Sequence, residues 1–143
     1  AYSNMQEVRA RDIMKAPIIT IEAGESVEKA AKIMRDKKIG SVIVVEDGEF
    51  VGIVTKTDIV FRVVAEGKNP KEVKVEEVMS SPLIYVDSSS TLQEVARIMA
   101  KKDIRRVIVK EGGKPVGIIS DRDITRVAPE VIEILSEYLR ILR

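Results

Sequence analysis

Apolar residues recur along this chain in two rhythms. Val27, Ala30, Ala31 and Met34 fall at i, i+3, i+4 and i+7, as do Leu92, Val95, Ala96 and Met99, which predicts one amphipathic helix in each half. Ser26 and Thr91 stand where the N-caps of those helices belong. Thr91 with Glu94 predicts a capping box, which Lys29 denies the first helix. Upstream, Ile18–Ile21 and Leu83–Val86 each follow a proline and read as short strands. Downstream, the β-branched runs Val42–Val45 and Val107–Val109 lead through Asp47-Gly48 or Gly112-Gly113 into Phe50–Val54 or Pro115–Ile119, which predicts two hairpins. Each hairpin ends in a polar tetrad, Thr55-Lys56-Thr57-Asp58 or Ser120-Asp121-Arg122-Asp123, and then a short helix at about 59–65 or 124–128.

The two halves are copies. A constant offset of 65 residues lays Met14 on Met79, Pro17 on Pro82, Met34 on Met99, Gly48 on Gly113, Gly52 on Gly117 and Asp58 on Asp123 without a gap. The fold class is therefore α/β (α+β): two β-α-β-β-α repeats, at 8–65 and 73–128, joined by a connector at 66–72 that carries Gly, Asn and Pro. A three-stranded sheet with one covered face is marginal alone, so the repeats are expected to pack together about a pseudo-twofold axis. Beyond Pro129, the spacing of Val131, Ile134, Leu135, Tyr138 and Leu142 predicts a C-terminal amphipathic helix over 129–143, which covers its own domain or helps to form a dimer interface.

Composition narrows the chemistry. Among 143 residues there is no Cys and no His, so disulfides, the usual zinc ligand sets, Cys or Ser–His nucleophiles and imidazole bases are all closed, and no catalytic constellation repeats or converges. Lys and Arg number 24 against 23 Asp and Glu, a net charge of +1, so no global field draws the chain to nucleic acid or to a membrane. No apolar run reaches the length of a membrane span and Ala1 to Asn4 lack a signal core, which points to a cytoplasmic protein. High charge with few aromatics also resembles thermophile composition.

The doubled Thr/Ser-x-x-Asp is the leading candidate for binding chemistry. A hydroxyl and open amides at a strand-to-helix turn suit phosphate oxygens, and a nearby carboxylate accepts hydrogen bonds from a vicinal diol such as a ribose. The plain alternative is that Asp58 and Asp123 are helix N-caps, a role compatible with ligand contact. Arg105 and Arg106 stand where the first copy has Gly40 and Ser41, next to Lys101 and Lys102, and Arg122 replaces Thr57. These are either a solvated edge or guanidiniums placed to bind phosphate bidentately, and they make the second copy the more basic. Gly112-Gly113-Lys114-Pro115 lacks the rest of a phosphate-loop motif and reads as a turn. Met14, Met34, Met79 and Met99 read as core or cleft lining, not as a metal-binding set.

Val8, Ile13-Met14, Pro17-Ile18-Ile19 and Ile21, then Ala31-x-x-Met34-x-x-x-x-Ile39-Gly40, then Val51 through Asp58, with their counterparts 65 residues on, resemble the cystathionine β-synthase-type domain, the CBS domain, as a stand-alone tandem pair. The resemblance implies regulatory binding of AMP, ADP, ATP or S-adenosylmethionine in clefts between the repeats, with no cofactor required. It implies that Asp58 and Asp123 hold the ribose hydroxyls while Thr55, Thr57 and Ser120 approach the ribose and phosphate. It also implies that Ile53 and Ile118, with Ile39 and Ile104, flank the base, and that Ser41 and Arg106 reach phosphate. Arg122 departs from the usual hydroxyl before the final Asp, so it either tightens phosphate binding there or partly blocks the site. A homodimer formed through helices and a separate regulated protein are the implied partners.

The expectation is thus a non-enzymatic adenine-nucleotide sensor. Its rivals are a structural or dimerisation module without ligand, and a nucleic-acid binder using Lys101, Lys102, Arg105 and Arg106, which the charge balance and the scarcity of aromatics disfavour.

Overall fold

The computed structural model describes residues 8–127, which fall into two compact units. A central unit is continuous, Ile19–Leu83, and a split unit joins residues 8–18 to 84–127. The element order is α1 (Ala10–Ile13), β1 (Thr20–Glu22), α2 (Val27–Lys37), β2 (Ser41–Glu46), β3 (Glu49–Thr55), α3 (Lys56–Ile59) running into a π-helical turn at Val60–Val64, α4 (Val75–Val78), β4 (Tyr85–Asp87), α5 (Leu92–Lys102), β5 (Arg106–Glu111), β6 (Lys114–Ser120) and α6 (Asp121–Val127). The C-terminal helix expected at 129–143 lies outside the described residues. Among those described, no helix is long and apolar enough to cross a membrane.

In the central unit β2 lies between β1, which it pairs in parallel, and β3, its antiparallel hairpin partner. Ser41 pairs with Thr55 and Val42 with Val54, and a bulge after Val44 leaves Val51 as an extra residue in β3. The edge of β3 is capped by Ser80, which exchanges both backbone hydrogen bonds with Ile53 at 2.8 and 3.0 Å. The core gathers Ile21, Val27, Ala30, Met34, Val42, Val44, Val54 and Val63 with Val73, Val75 and Val78 from beyond the connector. Ala31 is half-buried, so the stripe of α2 is narrower than its spacing implies.

The split unit repeats this plan. β5 pairs β4 in parallel and β6 in antiparallel, with Arg106 opposite Ser120 and a bulge that leaves Val116 extra. Lys15 and Ile118 exchange the edge hydrogen bonds at 2.9 and 3.0 Å. Leu92, Val95, Ala96 and Met99 of α5 pack with Val107, Val109, Ile119 and Ile124, and Ala10 from α1 joins them. Sequence copies and compact units are therefore offset. The segment opening the first copy completes the sheet of the second, where the Ala10 amide donates to the Ser90 carbonyl at 2.8 Å. Val73–Leu83, by sequence the start of the second copy, completes the first.

Several expectations shift in detail. The strands β1 and β4 begin two residues later than the apolar runs, because Ile19 and Ile84 contribute only a carbonyl, to Ile43 at 3.0 Å and to Ile108 at 2.9 Å. Both long helices are capped by a hydroxyl, Ser26 accepting from the Lys29 amide and Thr91 from the Glu94 amide, each at 3.1 Å. Of the expected Thr91 box the hydroxyl arm forms, while Thr91 itself bridges to Arg9. The short helices start earlier than about 59 and 124, because the last three residues of each tetrad are themselves helical.

Candidate functional site

Thr55 ends β3 with extended backbone and caps α3, so Asp58 is the third helical residue, not the N-cap. The Asp58 amide donates to Thr55 Oγ1 at 3.2 Å, and Asp58 Oδ2 accepts from the Thr55 amide at 2.8 Å and from its hydroxyl at 3.0 Å. This reciprocal box satisfies amides that a helix start leaves open, and it fixes the carboxylate against the chain. Asp58 Oδ1 lies 3.8 Å from Arg62 Nε, and Arg62 in turn donates to the Val78 carbonyl at 3.1 Å. The Lys56 amide donates to the Gly40 carbonyl at 3.1 Å, which joins the turn before β2 to the turn after β3.

The same stitching brings the second set together inside the split unit. The Ser120 amide donates to Asp123 Oδ2 at 2.9 Å, and the Asp123 amide donates to Ser120 Oγ at 3.2 Å. The Asp121 amide donates to the Arg105 carbonyl at 2.9 Å, so the Arg105-Arg106 turn adjoins the tetrad of its own copy. Asp123 is more enclosed than Asp58, with 7% of its side chain exposed against 12%. Its Oδ1 pairs with Lys15 Nζ at 3.3 Å and lies 4.0 Å from Arg126 Nη1.

Each unit thus places one carboxylate, half-buried at Asp58 and buried at Asp123, with one oxygen spent on backbone and the other turned to side-chain cations. In the central unit Gly40, Ser41, Thr55 and Asp58 come together, and in the split unit Arg105, Arg106, Ser120 and Asp123 do so. Arg106 is half-buried opposite Ser120, whereas Arg105, Thr57 and Arg122 are exposed on the rim. Ile39 and Ile104 pack partly on the cores of their own units, immediately after α2 and α5. Ile53 and Ile118 are half-buried at the sheet edge beside Ser80 and Lys15.

Lys15, Ser80, Arg62 and Arg126 are the neighbours that sequence reasoning missed. Arg62 and Arg126 lie one helical turn beyond their aspartates, a spacing visible in the sequence. Lys15 carried no such signal, because along the chain it belongs to the other copy. Met14 and Met79 also have a defined place. A β-carbon built on Gly117 would stand 2.5 Å from Met14 Sδ, and one on Gly52 2.5 Å from Met79 Sδ, so both glycines admit a thioether against the site-bearing strand.

The CBS domain profile matches twice, at residues 10–65 and 75–138. An uncharacterized protein of Methanopyrus kandleri is 36% identical over 138 residues, covering 95% of this chain and 70% of that protein. Hypoxic response protein 1 of Mycobacterium tuberculosis is 34% identical over 122 residues, covering 85% of each. Among solved structures, a hexameric CBS-CP12 protein from bloom-forming cyanobacteria superposes with a TM-score of 0.79 at 38% identity, over 88% of this chain and 74% of that one.

Proposed function

The chain belongs to the CBS-domain family, carrying two copies in tandem, and from that premise we propose that it is a non-enzymatic sensor of adenosine ligands that signals occupancy to another protein. CBS domains are known to bind adenosine ligands and to serve regulatory roles. The observation that carries the reading here is the doubled carboxylate box. Asp58 and Asp123 each spend Oδ2 on the chain and keep Oδ1 free of backbone donors among the described residues. A ribose diol is a group able to donate to such an oxygen in place of the side-chain cation that now faces it. The hydroxyls of Thr55, Thr57 and Ser120, with Ser41 or Arg106, would then lie toward the phosphate, and Ile53, Ile118, Ile39 and Ile104 toward the base.

Calorimetric titration with AMP, ADP, ATP and S-adenosylmethionine tests the proposal. At least one is expected to bind with a dissociation constant below about 1 mM, an interaction stronger than roughly 4 kcal/mol. Absence of binding by all four at that level overturns it.

A second reading, a dimerisation module, has one observation in its favour. Val60, Phe61 and Val64 on the π-helical turn are 50%, 66% and 65% exposed, an apolar face unusual in a chain so rich in charge. Sedimentation of Phe61→Ser tests it: a homodimer built on this face dissociates, and an unchanged association state removes the face from the interface.

A further inference from the structure

The two carboxylate boxes differ in the cation they meet, and the consequence, which rests on the ligand reading above, is selectivity. In the split unit Asp123 Oδ1 already holds an ammonium, Lys15 Nζ at 3.3 Å. In the central unit the nearest cation to Asp58 Oδ1 among the described residues is Arg62 at 3.8 Å, whose guanidinium is also engaged by the Val78 carbonyl. The sequence counterpart of Lys15 is Ser80, which is neutral. The surroundings follow the same division. Residues 8–18 and 84–127 carry 12 Lys and Arg against 7 Asp and Glu, whereas Ile19–Leu83 carries 10 against 12.

We propose that Lys15 is a built-in counter-ion that makes the split unit's site select phosphorylated nucleosides over neutral ones. A ribose hydroxyl that seeks Asp123 Oδ1 competes with the ammonium already there. A neutral nucleoside offers that ammonium nothing in exchange, so binding breaks an ion pair without replacing it. A nucleoside phosphate brings its own anion. Lys15 is 61% exposed on a flexible four-carbon stem, so it is able to leave the carboxylate and follow the phosphate while the diol takes its place. In the central unit the facing cation, Arg62, is farther from the carboxylate and tied to the Val78 carbonyl, so less is exchanged and its site discriminates less.

The test is amide-resolved NMR titration of the full chain with adenosine and with AMP, reading Ser120 and Asp123 for one site and Thr55 and Asp58 for the other. The preference for AMP over adenosine is expected to be larger at Ser120 and Asp123. Lys15→Gln lowers that preference roughly fivefold, the scale of a partly exposed ion pair. It does so by strengthening adenosine and weakening AMP, with the Thr55 and Asp58 readings unchanged, and Lys15→Arg retains the preference. If Lys15→Gln weakens both ligands equally or leaves their ratio unaltered, the counter-ion role is overturned while the sensor reading stands. If neither ligand moves any of the four amides in the unaltered chain, the counter-ion role is overturned, while the sensor reading falls only if ADP, ATP and S-adenosylmethionine also fail to bind.

Discussion

Met14 lies against Gly117 so closely that a β-carbon there would meet its sulfur at 2.5 Å, its Cγ at 2.8 Å and its Cβ at 3.0 Å. Gly52 has the same relation to Met79, with one difference: the Ser80 carbonyl oxygen, a backbone atom, would stand 2.9 Å from the added carbon. The Met14 sulfur and Cγ can rotate away, though its Cβ cannot, whereas the Ser80 carbonyl is a backbone atom held closer, by its hydrogen bond from Ile53. Gly117→Ala is expected to destabilise by about 1–2 kcal/mol and Gly52→Ala by about 2–3 kcal/mol, the range of overpacked interiors. Urea denaturation gives the comparison. Met14→Ala combined with Gly117→Ala should recover part of the loss, because the two residues share one space, and full additivity would show that the contact is not the cause.

The boxes separate folding from binding. Asp58→Ala removes acceptors for the Thr55 amide and hydroxyl and should cost about 1–2 kcal/mol of stability. Asp123→Asn keeps an acceptor for the Ser120 amide but discards the charge, so stability should fall by less than about 1 kcal/mol. Its AMP affinity at the split unit should fall about 10- to 100-fold, from the loss of charge-assisted hydrogen bonds. Denaturation midpoints and calorimetry on the same variants give both numbers. Unchanged affinity in Asp123→Asn would remove that residue from the ligand site.

How far the sequence disclosed this arrangement depends on the range of each signal. The hairpins and the two long helices were legible because each carries a local period, as in Leu92, Val95, Ala96 and Met99. The tetrads were legible as special because they recur, though their hydroxyls, not their aspartates, are the caps. The helices α1 and α4 were not read, since four residues are too few to show a helical period. Their one local mark is an acid three residues after the cap: Asp12 accepts from the Arg9 amide and Glu77 from the Lys74 amide, each at 2.8 Å. The pairing of Lys15 with Asp123 was invisible for a different reason. Periodicity describes which face a residue takes, not which of two similar sheets an incoming segment completes, and residues 8–18 complete the sheet farther along the chain.

Titration offers a check of local geometry away from the site. Asp87 is held below the ordinary carboxylate range, first by the Ser89 hydroxyl and then by the Ser89 amide, which donates at 3.0 Å. A depressed folded value means that this contribution to stability is present above the unfolded pKa and is lost as pH falls through the folded one. Ser89→Ala should therefore raise the Asp87 pKa toward its usual value. It should also make the chain lose less stability on acidification across that window. A carboxyl-detected NMR titration reads the first effect, and an unmoved Asp87 would show that the hydroxyl does not hold it.

The hairpin turns supply the last prediction. Both central residues are left-handed in each, Asp47 and Gly48 at φ 52 and 78 in one, Gly112 and Gly113 at 58 and 79 in the other. Such a turn matches the twist of the flanking strands, and its first position accepts Asn or Asp as readily as Gly, as Asp47 demonstrates. Open space surrounds Gly112, so a β-carbon added there meets nothing within 4 Å. Gly112→Asn should stabilise the chain by about 0.5 kcal/mol, because it removes unfolded-state freedom without straining the turn. Gly113→Ala, at the second position, should destabilise it by about 1 kcal/mol, since alanine has no side-chain group to ease the left-handed backbone. Thermal unfolding of the two variants should move in opposite directions. A stabilised Gly113→Ala would mean that the turn relaxes to another type.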